Sequence, residues 1–102
     1  MENKIYCFDI DDTILFSECD KNGEYKLLCH NTELVKKINE LYNNGDTIIL
    51  HTGRHWNHLR ITIDQLQKVG VKYHTVVPGK PFADLYIDDK GITPQKFLEL
   101  IK

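Results

Sequence analysis

Apolar positions in this chain alternate between short unbroken runs and stretches with helical spacing. Ile5 to Phe8 is a run rich in apolar and aromatic residues, and it reads as a short buried strand. It stops at Asp9-Ile10-Asp11-Asp12-Thr13. Two further β-like runs, Ile14-Leu15-Phe16-Ser17 and Tyr25 to Cys29, flank a polar segment containing Asn22-Gly23, which predicts a hairpin over about 14–29. Leu34, Val35, Ile38, Leu41 and Tyr42 share one face of a helix that Asn31 or Thr32 can cap and Gly45 can stop. Thr47 to Leu50 is a second buried strand, ending in His51-Thr52-Gly53-Arg54. A second helix carries Trp56, Leu59, Ile63 and Leu66 inward and closes at Gly70. Tyr73 to Val77 is a strand cut off by Pro78-Gly79. Lys80-Pro81-Phe82 is a loop, and Leu85 to Ile87 is a last strand ending at Asp88-Asp89. Thr93-Pro94 starts a terminal helix with Phe97, Leu98 and Ile101 inward.

Buried strands alternating with amphipathic helices predict an α/β fold, a small parallel-sheet Rossmann-like core carrying one hairpin flap. Ligands of such sheets bind at the carboxyl ends of the strands. Three of the predicted strands end in Asp9/Asp11, Thr52-Gly53 and Asp88/Asp89, and Lys80 follows the other. With 102 residues, 41% of them hydrophobic, the expectation is one domain over 1–102 with a single modest core. The strands and helices use almost the whole chain, so no segment is left for a separate cap domain. A net charge of −2 marks no nucleic-acid or anionic-membrane partner, and no run approaches the roughly 20 apolar residues of a membrane span. The first strand begins too early to leave room for a signal peptide. Cys7, Cys19 and Cys29 lack metal-ligand spacing and read as free thiols of a reducing cytoplasm.

Three acids within four residues repel one another unless something cationic compensates. A divalent metal suits them, since Mg²⁺ prefers oxygen ligands and few protein groups. Asp9 and Asp11 alternate with Ile10, so on a continuing strand they point the same way. Two carboxylates beside a metal can divide the work of nucleophile and acid/base. The alternative reading, a polar turn capping a strand, suits a lone Asp-x-Asp better than this cluster. Asp12 reads as a turn residue, and Thr13 as a side chain that bonds the backbone near the acids and orients them.

Taken in order, Asp9-Ile10-Asp11-Asp12-Thr13, Thr52, Lys80 and Asp88-Asp89 resemble the four motifs of the haloacid dehalogenase (HAD) superfamily. Lys80 to Asp89 is further similar to small capsule-polysaccharide-biosynthesis phosphatases of that superfamily, which lack a separate cap. The resemblance implies a Mg²⁺-dependent phosphatase acting on a phosphate monoester, a small sugar or polyol phosphate, through an aspartyl-phosphate. It implies Asp9 as nucleophile and Asp11 as acid and then base. Mg²⁺ would sit on the Asp9 carboxylate, the Asp11 carbonyl and Asp88, with Asp89 nearby. Thr52, the Gly53 amide and Lys80 would bind the phosphoryl oxygens. The chain departs from the family in its shortness, and no helix separates Lys80 from the preceding strand.

Other readings compete. A receiver-type phospho-acceptor module also gathers acids, a Thr and a Lys at strand ends, but its acceptor ends a middle strand and nothing in it matches Asp88-Asp89. A phosphoprotein or polynucleotide phosphatase could use the same core, although the acidic balance weighs against nucleic acid. Arg54 could pair with a substrate anion, clamp a motif acid, or form a merely structural ion pair. His55 and His58, at helical i, i+3 spacing, could bind a metal but have nothing soft nearby. Ile14, Leu15, Phe16, Leu27 and Leu28 exceed what one face of a hairpin should carry. That excess predicts a homo-oligomer whose flap packs on a neighbouring subunit; a monomer whose flap folds onto its own core is the alternative.

Overall fold

The computed structural model describes residues 3–78, 84–87 and 92–100, the side chains of Trp56, Pro78 and Tyr86 excepted. In chain order the elements are β1 (Ile5–Asp9), β2 (Leu15–Cys19), β3 (Tyr25–His30), α1 (Thr32–Asn43) and β4 (Thr47–Thr52). A 3-10 turn (Trp56–His58), α2 (Leu59–Val69), β5 (Thr75–Pro78), β6 (Leu85–Ile87) and α3 (Pro94–Leu100) complete them. β5, β4, β1 and β6 pair in that order into one parallel sheet, while β2 and β3 form a separate antiparallel hairpin. This is the small α/β, Rossmann-like core expected, with a hairpin flap and no separate cap.

Strand order follows from where the chain turns back. It runs from β1 outward through β4 to β5, then returns to the other side of β1 as β6. The strand order therefore reverses at β1, which makes its carboxyl end the natural crevice of the sheet. β1 is central, and its unbroken apolar run is the sequence of a strand covered on both faces: Tyr6, Cys7 and Phe8 are all buried. On β4 the burial alternates, so Ile48, Leu50 and Thr52 face inward together. Thr52 thus arrives buried at the strand end because it is in phase with two core residues.

The caps fall where the sequence places them. Asn31 Oδ1 accepts the Leu34 amide at 3.1 Å, and Gly45 (φ 94°) and Gly70 (φ 75°) turn the chain out of α1 and α2 in the left-handed region. Thr93 Oγ1 accepts the Lys96 amide at 3.2 Å at the start of α3. That short helix is anchored by Phe97, whose ring meets Phe8 edge-on at 5.3 Å and Tyr6 at 5.9 Å. Burying such a side chain contributes about 1.5–3 kcal/mol.

Two features differ from the sequence reading. The first hairpin strand starts one residue later and ends two later, at 15–19, and the second extends by one residue to 25–30. Asp20 closes the turn by accepting the amides of Asn22 and Glu24 at 2.8 and 2.9 Å. Ile14 and Leu15 are fully buried and Leu27 packs against the same core, so most of the hairpin's apolar excess is absorbed within the chain; Leu28 stays 57% exposed. On α2, Leu59 is 48% exposed rather than inward, and the buried positions include Thr62 and Gln65. The helix has rotated polar groups towards the interior, and what they meet there is Arg54.

Candidate active site

The loop after β1 is built around one carbonyl. Ile10 is fully buried, and its oxygen accepts the amides of Thr13, Ile14 and Leu15 at 3.4, 3.0 and 2.9 Å. Asp12 takes a left-handed conformation (φ 61°), which aspartate tolerates better than most residues, and its amide donates to the Leu15 carbonyl at 2.9 Å. With Ile10 and Ile14 as apolar anchors on either side, the loop holds Asp11 above the sheet.

Both oxygens of Asp11 are held by side chains from the neighbouring strand end. Thr52 Oγ1 donates to Oδ2 at 2.9 Å, and Arg54 Nε donates to Oδ1 at 2.8 Å. The Thr52 hydroxyl in turn accepts the Arg54 amide at 3.0 Å. Arg54 is thus paired with Asp11, the contact that both a clamp on the acid and a structural ion pair would make. Its guanidinium is buried, while Asp11 is 31% exposed. A buried cation needs every donor satisfied. Nη1 reaches Thr62 Oγ1 at 3.2 Å and Gln65 Oε1 at 2.9 Å, and Nη2 reaches Ser17 Oγ at 3.3 Å. The Tyr25 ring covers the guanidinium plane, 4.0 Å from Cζ to its centroid.

Asp9 ends β1 opposite His51, with Nδ1 to Oδ1 at 3.8 Å, and is largely buried. Gly53 is exposed, and a side chain there would meet nothing within 4 Å among the described residues. Beside it lies a pocket of about 90 Å³ lined by Thr52, Arg54, His55, Leu59, Thr62, Val76 and Val77. Exposed Leu59 is a wall of this pocket, which accounts for its departure from the helix core.

The structure thus brings together Asp9, Asp11, Thr52, Gly53 and Arg54 at adjacent strand ends. Lys80, Asp88 and Asp89 lie outside the described residues; β6, which precedes the two acids, reaches Ile87 opposite Phe8. Thr13 requires a correction. It is fully buried, but Oγ1 has no hydrogen-bond partner among the described residues, so it does not bond the backbone beside the acids. The nearby Ile10 carbonyl already takes three amides and has no lone pair to spare. Ser17, Tyr25, Thr62 and Gln65 were not foreseen from sequence. One signal for them exists: Thr62 and Gln65 interrupt, at i, i+3 spacing, the face of a helix that starts just after an arginine.

The donor set fits a hard cation in kind. The Asp9 carboxylate and the Asp11 carbonyl are oxygen donors close together in sequence after β1, the donor type that Mg²⁺ takes. Among the described residues no group of three His, Cys, Asp or Glu side chains is placed to hold a metal. His55 Nδ1 lies 2.9 Å from Asn57 Oδ1, and the His58 ring meets Tyr25 edge-on at 5.2 Å. No described helix is long and apolar enough to cross a membrane.

No protein-family model matches the sequence, and no curated protein matches it. Solved structures do match the fold. A conserved protein from Bacteroides thetaiotaomicron superposes with a TM-score of 0.73 at 20% identity, over 98% of this chain and 90% of that one. A provisionally assigned 3-deoxy-D-manno-octulosonate 8-phosphate phosphatase from Vibrio cholerae gives 0.52 at 20% identity, over 96% of this chain and 47% of its own. A hypothetical protein from Xanthomonas campestris gives 0.57 at 17% identity, over 96% and 59%. The chain spans about half the length of the Vibrio protein. At these identities the likeness is one of fold.

Proposed function

We propose that the chain is a HAD-type phosphatase that hydrolyses a phosphate monoester, with Asp9 as nucleophile and Asp11 as acid and base. The observation that carries this reading is the pair of acids at the reversal point of a parallel sheet, with Asp11 gripped through both oxygens. The grip fixes the orientation of the Asp11 carboxyl, one requirement of general acid–base catalysis; to pass a proton to the leaving oxygen, one of its oxygens must also turn from its present donor.

In the proposed reaction an Asp9 oxygen attacks phosphorus as the bond to the leaving oxygen breaks. Asp11 gives that oxygen a proton, and the alcohol leaves. Asp11 then takes a proton from water, whose oxygen attacks phosphorus and releases Asp9 and inorganic phosphate. The Gly53 amide, next to Thr52 at the same strand end, would meet a phosphoryl oxygen in this reading. Thr52 gives its hydroxyl proton to Asp11 in this structure, so a contact from it to phosphate requires that hydroxyl to turn. Lys80 and Asp88 belong to the proposal on sequence grounds. Mg²⁺ on the Asp9 carboxylate, the Asp11 carbonyl and Asp88 would offset the charge of the phosphoryl group.

A small sugar or polyol phosphate is the proposed substrate, as in the capsule-biosynthesis phosphatases whose motif Lys80 to Asp89 resembles. A cytoplasmic site of action is part of the same reading; none of Cys7, Cys19 and Cys29 is in a disulfide. A phosphoprotein substrate is the second reading, favoured by the apolar pocket wall of Leu59, Val76 and Val77 beside Thr52. Turnover of sugar, polyol, nucleotide and phosphopeptide monoesters with Mg²⁺ present decides between them. Faster release from sugar and polyol phosphates supports the first reading, and preference for phosphopeptides supports the second. No release from any ester by the wild type, at levels abolished in Asp9→Asn, overturns both.

A further inference from the structure

The grip on Asp11 does not end at Asp11. One planar guanidinium joins three separate parts of the chain: the acid loop through Nε, α2 through Nη1, and the hairpin through Nη2 and the Tyr25 ring. Gln65 closes the circuit, since its Oε1 accepts from Arg54 while its Nε2 donates to the Tyr25 carbonyl at 3.2 Å. A guanidinium is rigid and its donors are fixed in one plane. It cannot tilt to follow the hairpin without turning its Nε–H away from Asp11.

We propose that Arg54 is a positioning residue that couples the seating of the hairpin to the orientation of the Asp11 carboxylate. The hairpin is a two-stranded ribbon of the kind that is marginally stable by itself. Its base is fastened by Ile14 and Leu15 in the core, and Ser17 and Tyr25 fasten it to Arg54 further along. When it is seated, Asp11 is held between Arg54 and Thr52; when it lifts, the acid loses one of its two grips. The same geometry removes Arg54 from substrate binding. At least four of its five N–H groups are directed to Asp11, Thr62, Gln65 and Ser17, and its plane is covered, so the cation for a phosphoryl group has to come from elsewhere.

This inference rests on the phosphatase reading for its kinetic consequence but not for the coupling itself, and the tests separate the two. In kcat/KM, which reports the steps up to departure of the leaving group, a misplaced general acid harms an alkyl ester more than an aryl ester, because a phenolate needs little protonation. Arg54→Met is expected to lose at least about tenfold more on glycerol phosphate than on p-nitrophenyl phosphate. Ser17→Ala and Tyr25→Leu, which leave Asp11 and Arg54 intact, are expected to show the same bias at smaller size. Arg54→Lys should recover part of the loss, since a point charge can still meet Asp11. Equal losses on both esters, or hairpin variants without bias, overturn the proposal and leave Arg54 a fold residue.

The second readout needs no activity. Amide hydrogen exchange of the hairpin is expected to rise several-fold in Asp11→Asn, and no further rise is expected when Asp11→Asn is added to Arg54→Met. Independent effects of the two substitutions, or hairpin exchange that ignores Asp11→Asn, refute the coupling whatever the protein's substrate. A wild type that hydrolyses neither ester counts against the phosphatase reading, and the exchange result then decides the coupling.

Discussion

Among the described residues, Asp46 and Asp84 at one end of the parallel sheet and Asp9 and Asp11 at the other are held in opposite ways. At the amino end, Asp46 accepts the Lys4 amide at 2.9 Å and Asp84 accepts the Ile5 amide at 2.7 Å. At the carboxyl end, Asp11 is held by the side chains of Thr52 and Arg54, and Asp9 sits opposite His51. The difference follows from strand direction. Parallel strands present unpaired N–H groups at one end and unpaired carbonyls at the other. An acid at the amino end finds donors in the backbone and needs nothing more. An acid at the carboxyl end faces carbonyl oxygens, and it persists there only if side chains or a cation are brought to it. Four similar residues thus divide into two that tie strands together through backbone amides and two that are met by side chains.

Substitution should separate the pairs sharply. Asp9→Asn is expected to abolish phosphate release, since an amide cannot form the acyl-phosphate. Asp11→Asn should lose roughly 10²–10⁴-fold, the share ascribed to general acid–base catalysis. Asp46→Ala and Asp84→Ala should leave turnover intact in the same assay. Chelation with EDTA should silence the enzyme, and Mg²⁺ should restore it better than Ca²⁺, whose looser coordination spoils in-line geometry. Full activity in chelator would erase the proposed metal from the carboxyl end.

Stability should divide the other way, with smaller effects. Asp46→Ala and Asp84→Ala are each expected to cost about 1 kcal/mol in denaturant unfolding, as a charged partner leaves a strand amide unmet. The smallest effect concerns Tyr6, whose phenol is pushed up from its ordinary value of 10.0 by burial first, and then by Asp46 and Asp84. A phenol raised in the folded state favours folding while it stays protonated. Its contribution is therefore complete below about pH 10 and is lost as pH rises past that value. Tyr6→Phe should flatten this alkaline loss; an unchanged profile would take Tyr6 out of it.

Much of the fold was readable from sequence because its signals are local. The unbroken apolar run of β1, Asn31 and Thr93 as caps, and Gly45 and Gly70 as stops each depend on neighbours within a turn or a strand. The acids were readable too, since their spacing and the strand before them lie in one stretch. The grip on Asp11 was legible only as one of three roles open to Arg54, and its other partners were not legible at all. Arg54 meets residues 37 and 43 positions earlier in the chain and 8 and 11 positions later, so its role depends on how separate elements dock. The same docking misled the reading of α2. Helical periodicity placed Leu59 inward, but a buried guanidinium drew Thr62 and Gln65 to the interior and left Leu59 as a pocket wall. Thr13 departed from its reading as well: its hydroxyl has no partner among the described residues, and the loop's own amides occupy the Ile10 carbonyl beside it.

The central claim is that the carboxyl end of the sheet performs phosphoryl transfer through Asp9. Its most direct test is acid quenching of the enzyme during turnover of p-nitrophenyl phosphate with Mg²⁺, followed by mass spectrometry of the peptide spanning residues 5–13. A phosphoryl group on Asp9, absent from Asp9→Asn and discharged when substrate runs out, is the expected result. Turnover that continues with the label on another residue would contradict the account, as would turnover with no label on any.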